Sequence, residues 1–521
     1  MTQTSRRFPR SGAMAALLAV VCGAWPAAPL SPASAAGADR ALEVALQQLP
    51  ALIDGAMART GVPGLVVVVV QDDRVVLLRG YGTRRLGSGM PVDGDTVFQL
   101  ASLSKPIATT VIAALVGDGR IGWDTPLSQR LPEVRIGGPA IAPKITLRDL
   151  LSHRSGLPDH AGDDLEDLGF DRATILSRLA LFDTANRFRA SYAYTNFGFT
   201  AAGEAAARAG GSDWEELSAQ RLYRPLGMTR TSSRHADFLA TPNRADLHQR
   251  QGARWRLSPG RQPDAQSPAG GVSASGRDLA RWMRLQLNRG RLDGRTVVQA
   301  EALDETHRPQ VISVPPADPV RDQAGIYALG WNVGYDPGGR LRLSHSGAFS
   351  LGAATSVTLL PARRLGIAIL TNGTPIGVPE SLTASFLDLL DHGRVRRDYG
   401  ALMAEAFASI LRPDYPLVSE PPRPPALALE RYTGTYRNAY VGEARVNLVE
   451  GRLQLSLGPR NRTAALTSLG NHRFAYTPFG ENAAGPSAVS FSVDRKGHGT
   501  QLRIDNLNTH GLGTLQRSAA P

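Results

Sequence analysis

Ala101-Ser102-Leu103-Ser104-Lys105-Pro106 holds one of only three lysines in a 521-residue chain with 58 basic side chains; Lys144 and Lys496 are the others, and the rest are arginine. Arginine keeps its proton in a protein, whereas a lysine amine is pushed toward neutrality by its surroundings. A lysine kept three residues after a serine therefore points to a requirement for an amine. Pro106 is welcome in a first helical turn but not in a helix interior, and the spacing of Ile107, Val111, Ala114 and Leu115 predicts a buried helix running onward. Ser102 then stands at a helix N-terminus, with its hydroxyl and the Lys105 amine on one face of the turn. The unsatisfied N–H groups of that end favour negative charge at Ser102 and disfavour a protonated Lys105. Alone, such a pair reads more readily as a serine cap beside a solvated lysine, so the surrounding segments must decide.

Outward from this turn, Leu65 to Val70 and Val75 to Leu78 are aliphatic runs joined by Gln71-Asp72-Asp73-Arg74, which predicts a strand hairpin after a helix at 40–59. Residues 100–300 are mostly helical in pattern, and Ser275 with Asp278 marks one helix start by a capping box. Strands are predicted at Tyr327 to Val333, Leu341 to Ser344, Ala354 to Leu360 and Leu365 to Thr371, then a helix at 378–392. Strands at both ends of a segment with helices between them imply one sheet assembled from sequence-distant pieces, with an inserted helical subdomain. Six prolines between Arg412 and Pro425 read as a stiff linker, 412–427. Beyond it, short strand-like runs at 432–436, 444–448, 453–457, 464–469, 473–476, 488–493 and 501–504 predict a small antiparallel barrel or sandwich.

Two further groups stand with Ser102-x-x-Lys105: Tyr194-Thr195-Asn196, and His345-Ser346-Gly347 before Ala348 at the end of a predicted strand. In this order the three motifs resemble the serine β-lactamase-like family, in its class C β-lactamase, esterase and D-amino-acid peptidase branch. Leu150-Leu151-Ser152-His153-Arg154-Ser155-Gly156-Leu157-Pro158 and Pro268-Ala269-Gly270-Gly271-Val272 stand at matching places, and the likeness spans roughly 45–395. The tail after residue 428 is similar to the lipocalin-like domain attached to some of these hydrolases, through Leu429-Glu430-Arg431-Tyr432-Thr433-Gly434-Thr435-Tyr436. The resemblance implies an α/β (α+β) fold: a β-lactamase/transpeptidase-like antiparallel sheet flanked by helices over 36–411, with a C-terminal antiparallel β-barrel over 428–521.

The resemblance also implies roles. Ser102 is the expected nucleophile of an acyl-enzyme. Its base is Tyr194, acidified by the Lys105 ammonium, or else neutral Lys105 itself. Asn196 orients Lys105 and the substrate, the backbone N–H groups of Ser102 and Ala348 form an oxyanion hole, and His345, Ser346 and Gly347 line the substrate side. Tyr192 reads as packing. The β-lactamases commonly carry lysine where this chain has His345, so a contact to an antibiotic carboxylate is weakened. An ester, an amide or a D-amino-acid peptide is the expected small-molecule or peptide substrate. The alternatives are a β-lactamase or D,D-peptidase, and a non-catalytic envelope-binding protein.

Other chemistries fit poorly. The chain has no Gly-x-Ser-x-Gly elbow, His153 and His160 lack further metal ligands at suitable spacing, and Gly270-Gly271 has no phosphate-loop lysine. No cofactor or metal is therefore expected, and Asp159, Asp163 and Asp164 read as a solvated loop. Arg6, Arg7 and Arg10 precede an apolar run and Ala33-Ser34-Ala35, which reads as an export signal over 1–35 and places the mature protein in the periplasm or outside the cell. Cys22, the only cysteine, lies within it. The net charge of +12 lacks a dense basic run with interleaved aromatics, so it implies loose attraction to anionic envelope polymers and no nucleic-acid binding. The oligomeric state stays open.

Overall fold

A computed structural model describes residues 35–518; the expected export signal lies, apart from Ala35, outside the described residues. An eight-stranded antiparallel sheet organises residues 64–371. Its strands in chain order are β1 (Gly64–Gln71), β2 (Arg74–Gly82), β3 (Val311–Val314), β4 (Gly325–Tyr327), β5 (Asn332–Tyr335), β6 (Leu341–Phe349), β7 (Ala353–Leu360) and β8 (Leu365–Thr371). They lie in the order β2-β1-β8-β7-β6-β5-β4-β3, so the N-terminal hairpin pairs with the last strand and the helical subdomain between them is an insertion.

The aliphatic run of β1 is explained by this position, because a central strand is covered on both faces. Leu65, Val67 and Val69 pack with helices α1 (Ala35–Thr60) and α5 (Val378–His392), through Leu49, Ile53, Leu382 and Phe386. Val66, Val68 and Val70 alternate to the opposite face and join the larger core beneath the inserted helices. That core contains α2 (Ser104–Gly117), α3 (Asn196–Gly210) and α4 (Gly276–Leu287), and residues 104–115 of α2 are buried throughout. Ser275 caps α4 by accepting from the Asp278 N–H at 3.2 Å; the Asp278 carboxylate turns instead to Arg230 N and Thr231, so the expected reciprocal box is half formed.

Two runs expected as single strands are broken. Tyr327 to Val333 is a hairpin, β4 and β5, closed by the Ala328 N–H to Trp331 carbonyl bond at 2.8 Å. Gly330 supplies the positive φ of 77° that this turn requires. Residues 464–469 form Arg462–Ala465 and Thr467–Gly470, the two edge strands of a nine-stranded antiparallel sheet. Only Leu466 separates those edges in the chain, so the sheet must curl into a nearly closed barrel. Tyr432, Phe474 and Phe491 pack their rings inside it at 5.0–5.6 Å. The proline-rich segment runs along this barrel, held by Val418 N to Pro486 O and Arg423 N to Ser468 O.

Candidate active site

Ser102 lies in the 3-10 turn Ala101–Leu103 immediately before α2, one residue ahead of that helix's N-cap, Leu103. Ala101 takes φ = 49°, a left-handed conformation an alanine adopts only when its surroundings impose it. Thr355 of β7 helps impose it by donating to the Leu100 carbonyl at 2.7 Å. Gly347 of β6 packs directly on this turn: a Cβ there would stand 2.0 Å from Leu100 O and 2.9 Å from Leu103 N. Glycine is therefore what lets the sheet edge approach the serine.

Lys105 is wholly buried, whereas Ser102 keeps partial exposure. The Lys105 amine lies 3.2 Å from Ser102 Oγ, 2.7 Å from Asn196 Oδ1 and 3.1 Å from the Ala269 carbonyl. Asn196 begins α3, and its amide donates to Asp163 Oδ2 at 2.8 Å, which turns its oxygen toward Lys105. Burial pushes the Lys105 amine down to about 7, opposed by the Asp163 carboxylate. A neutral amine donates twice and accepts once. Asn196 Oδ1 and Ala269 O take the two protons, and the lone pair is left for the Ser102 hydroxyl.

Tyr194 flanks this pair with its ring 4.4 Å from the Lys105 amine. Its hydroxyl is buried without a conventional hydrogen bond among the described residues. Burial and Asp163 raise the phenol above its ordinary value, although the nearby Ser102 pulls the other way. Of the two bases expected from the sequence, Tyr194 or Lys105, burial works against the phenolate form of Tyr194. Asp159 fixes the segment by accepting the Tyr194 N–H at 2.6 Å. The His153 ring lies tilted against Tyr194 at 4.5 Å while Nδ1 accepts the Thr195 N–H at 3.1 Å. Tyr192 packs edge-on against His153.

His345 lies inside β6, not at its end, because the strand continues to Phe349. Its Nδ1 donates to the Ser346 carbonyl at 2.7 Å and its Nε2 accepts from Tyr327 at 3.0 Å. Burial, with Lys105 close by, pushes the ring down to about 3, so it is neutral at pH 7. Ser346 is a correction. Side chains alternate across a strand, and Ser356, its partner on β7, bonds Thr383 of α5 at 3.2 Å on the face away from Ser102. The Ser346 hydroxyl therefore faces Glu380 behind the sheet and does not line the cleft. β5 begins opposite Ser344, so the β6 edge from His345 to Phe349 has no strand partner on that side among the described residues. The Ala348 N–H is in phase with Ser344, whose carbonyl turns toward Asn332 on that side at 3.4 Å, so this donor belongs to the open edge.

Asp159, Asp163 and Asp164 are not a solvated loop. Asp163, Glu166 and Asp167 are buried, and Asp164 half-buried, where the barrel covers the hydrolase domain. Asp167 accepts from Glu481 N at 2.8 Å and Asn482 N at 2.9 Å, and Tyr440 donates to Asp164. Glu481 in turn accepts from the backbone of Ser350 and Leu351, just past the β6 edge. Asp163 is the important residue missed by the sequence reading; neither its spacing nor its neighbours signal a bond to Asn196, 33 residues away.

A serine beside a buried lysine, a flanking phenol and an unpaired sheet edge define a β-lactamase-fold serine hydrolase. The chain belongs to the β-lactamase family, whose model matches residues 49–390, and a domain of unknown function, DUF3471, matches 419–514. It is 24% identical to an unguisins hydrolase of Aspergillus violaceofuscus, over 78% of this chain and 77% of that one. It is 28% identical to the esterase EstB of Burkholderia gladioli, over 66% of this chain and 94% of the esterase. With the D-alanyl-D-alanine-carboxypeptidase/endopeptidase AmpH of Escherichia coli K12 the identity is 26%, over 64% and 85%. The octameric penicillin-binding protein homologue of Pyrococcus abyssi shares the fold at a TM-score of 0.56 and 20% identity, over 88% of this chain and 98% of that one.

Proposed function

We propose that this protein is an exported hydrolase that cleaves esters, amides or D-amino-acid peptides through an acyl-enzyme on Ser102. The observation that carries the reading is the buried amine of Lys105, 3.2 Å from Ser102 Oγ with Asn196 Oδ1 and Ala269 O as its other partners; in its neutral form, which burial favours, its lone pair is free for the hydroxyl. Neutral Lys105 takes the hydroxyl proton as Ser102 Oγ attacks the carbonyl carbon. The N–H groups of Ser102 and Ala348 receive the negative charge that forms on the carbonyl oxygen, one such donor typically contributing about 3 kcal/mol. Collapse breaks the bond to the leaving group, which takes a proton from the Lys105 ammonium by way of the Tyr194 hydroxyl. Water then repeats the sequence on the acyl-enzyme and frees the acid.

His345 supports esters and peptides over β-lactams, since a neutral ring whose lone pair is held by Tyr327 offers no charge to an antibiotic carboxylate. Export rests on the basic, apolar and small-residue succession of residues 1–35. Turnover of 4-nitrophenyl esters, D-alanyl peptides and a chromogenic cephalosporin by wild type, Ser102→Ala and Lys105→Arg tests the reaction. Ester or peptide turnover should vanish in both variants and exceed cephalosporin turnover in wild type. Undiminished activity in Lys105→Arg contradicts the mechanism.

A further inference from the structure

A cavity of about 530 Å³ lies between the hydrolase domain and the barrel, beside the nucleophile turn. Gln99 forms part of its wall three residues before Ser102, a stretch that spans at most about 11 Å when extended. Arg261 forms another part, its guanidinium 5.1 Å above the ring of Phe349, which follows Ala348.

The charges around this cavity do not cancel. Its carboxylates already have donors: Glu166 from Arg261 and Gln266, Glu481 from the backbone of Ser350 and Leu351, and Asp167 from the loop at 481–482. Asp246 sits between Arg85 and Arg244 at 3.4 Å from each. The barrel then adds Arg460 and Arg462, neither of which meets a carboxylate among the described residues; Arg462 only approaches the ring of Phe479 at 5.8 Å. Arg244 Nε and Arg261 Nε are buried without a conventional hydrogen bond among the described residues, and each faces a carboxylate instead, Asp246 at 3.4 Å and Glu481 at 3.9 Å. Two buried acceptors, Gln99 Oε1 and Glu166 Oε1, are also without partners, so the wall suits a ligand that adds an N–H or O–H to its negative charge. Five arginines face four carboxylates here, and Arg460 and Arg462 are the two without an ion pair among the described residues, which makes a site for a carboxylate that arginine binds through paired N–H groups.

We propose that this cavity is a subsite for a carboxylate carried by the substrate several bonds from the scissile carbonyl, with Arg460 and Arg462 of the barrel selecting it. The substrate class narrows to acidic esters or amides, and the barrel is part of the specificity apparatus. The proposal of a substrate rests on acyl transfer at Ser102, but occupancy of the cavity does not.

The test compares 4-nitrophenyl hemiesters of succinate, glutarate and adipate with the neutral acetate and butyrate, using the full chain. The wild type should show a kcat/KM ratio that favours at least one hemiester over butyrate by about tenfold or more. The ratio should collapse toward one in the doubly substituted Arg460→Ala, Arg462→Ala protein, and fall below one in Arg462→Glu. Calorimetric titration of glutarate into Ser102→Ala protein gives a reading independent of turnover: binding is expected there and absent when both arginines are replaced. An equal preference in wild type and the double variant, or glutarate binding indifferent to the arginines, overturns the subsite. Arginine-dependent glutarate binding in a protein whose Ser102 is never acylated would sustain the subsite and defeat the reading of the reaction.

Discussion

Asp163→Asn isolates the electrostatic control of Lys105. The carboxylate is joined to the amine through Asn196, by contacts of 2.8 Å and 2.7 Å, which with the width of the amide puts the charges roughly 7 Å apart. At an effective dielectric constant of about 20, such a pair interacts by about 2 kcal/mol, or about 1.5 pH units on the amine. Burial lowers the amine and Asp163 raises it, so removing the charge lowers it further from about 7, to about 5.5. Asparagine can still accept from Asn196, which keeps the geometry. Tyr194, Phe199, His153 and His345 also face the amine, and none brings a second negative charge. The sign follows from the neutral form being active. In wild type kcat/KM should fall tenfold per pH unit below about 7 and be flat above it. In the variant the same limb should move acidward by about 1 to 1.5 units. The assay is the pH dependence of kcat/KM for a 4-nitrophenyl ester, with a circular dichroism check that the variant is folded throughout. An unmoved limb, or one displaced to higher pH, refutes the assignment of that limb to Lys105.

Three other substitutions probe separate parts of the account. Tyr194→Phe removes the proton donor without opening the packed ring, and should reduce kcat by about 10² to 10⁴ in steady-state assays while leaving the melting temperature nearly unchanged. Gly347→Ala forces a methyl group against Leu100 O, where only 2.0 Å is available; thermal unfolding should show a loss of about 1–3 kcal/mol, and esterase activity should fall with the displaced turn. Asp167→Ala leaves the Glu481 and Asn482 N–H groups without their acceptor, at a cost of about 1–3 kcal/mol each, so limited proteolysis should cut residues 477–486 at least tenfold faster than in wild type.

The parts of the fold legible in the sequence are those where burial writes a pattern. Leu65 to Val70 is read as a strand because both of its faces are covered, and Val378–His392 emerges because an apolar stripe that includes Leu382, Phe386 and Leu389 packs against the sheet. Tyr327 to Val333 misleads because apolar residues flank its turn on both sides, Ala328 and Leu329 before Gly330 and Trp331 after it. The site was legible where spacing is local: three residues bring Ser102 and Lys105 to 3.2 Å. It was not legible where the barrel intervenes. Asp163 to Asp167 has the composition of a solvated face and becomes buried only because Tyr440, Glu481 and Asn482 arrive from more than 270 residues away. Ser346 was misplaced for a different reason: the strand runs on through it without a bulge, and strict alternation sends its hydroxyl to the other face.

The most direct measurement is intact-protein mass spectrometry after exposure to a fluorophosphonate, followed by peptide mapping. A single adduct on Ser102, absent from Ser102→Ala and formed with a rate that rises through pH 7 as Lys105 loses its proton, is the predicted result. An adduct on another residue, or one formed equally well in Ser102→Ala, contradicts the claim that Lys105 activates this hydroxyl.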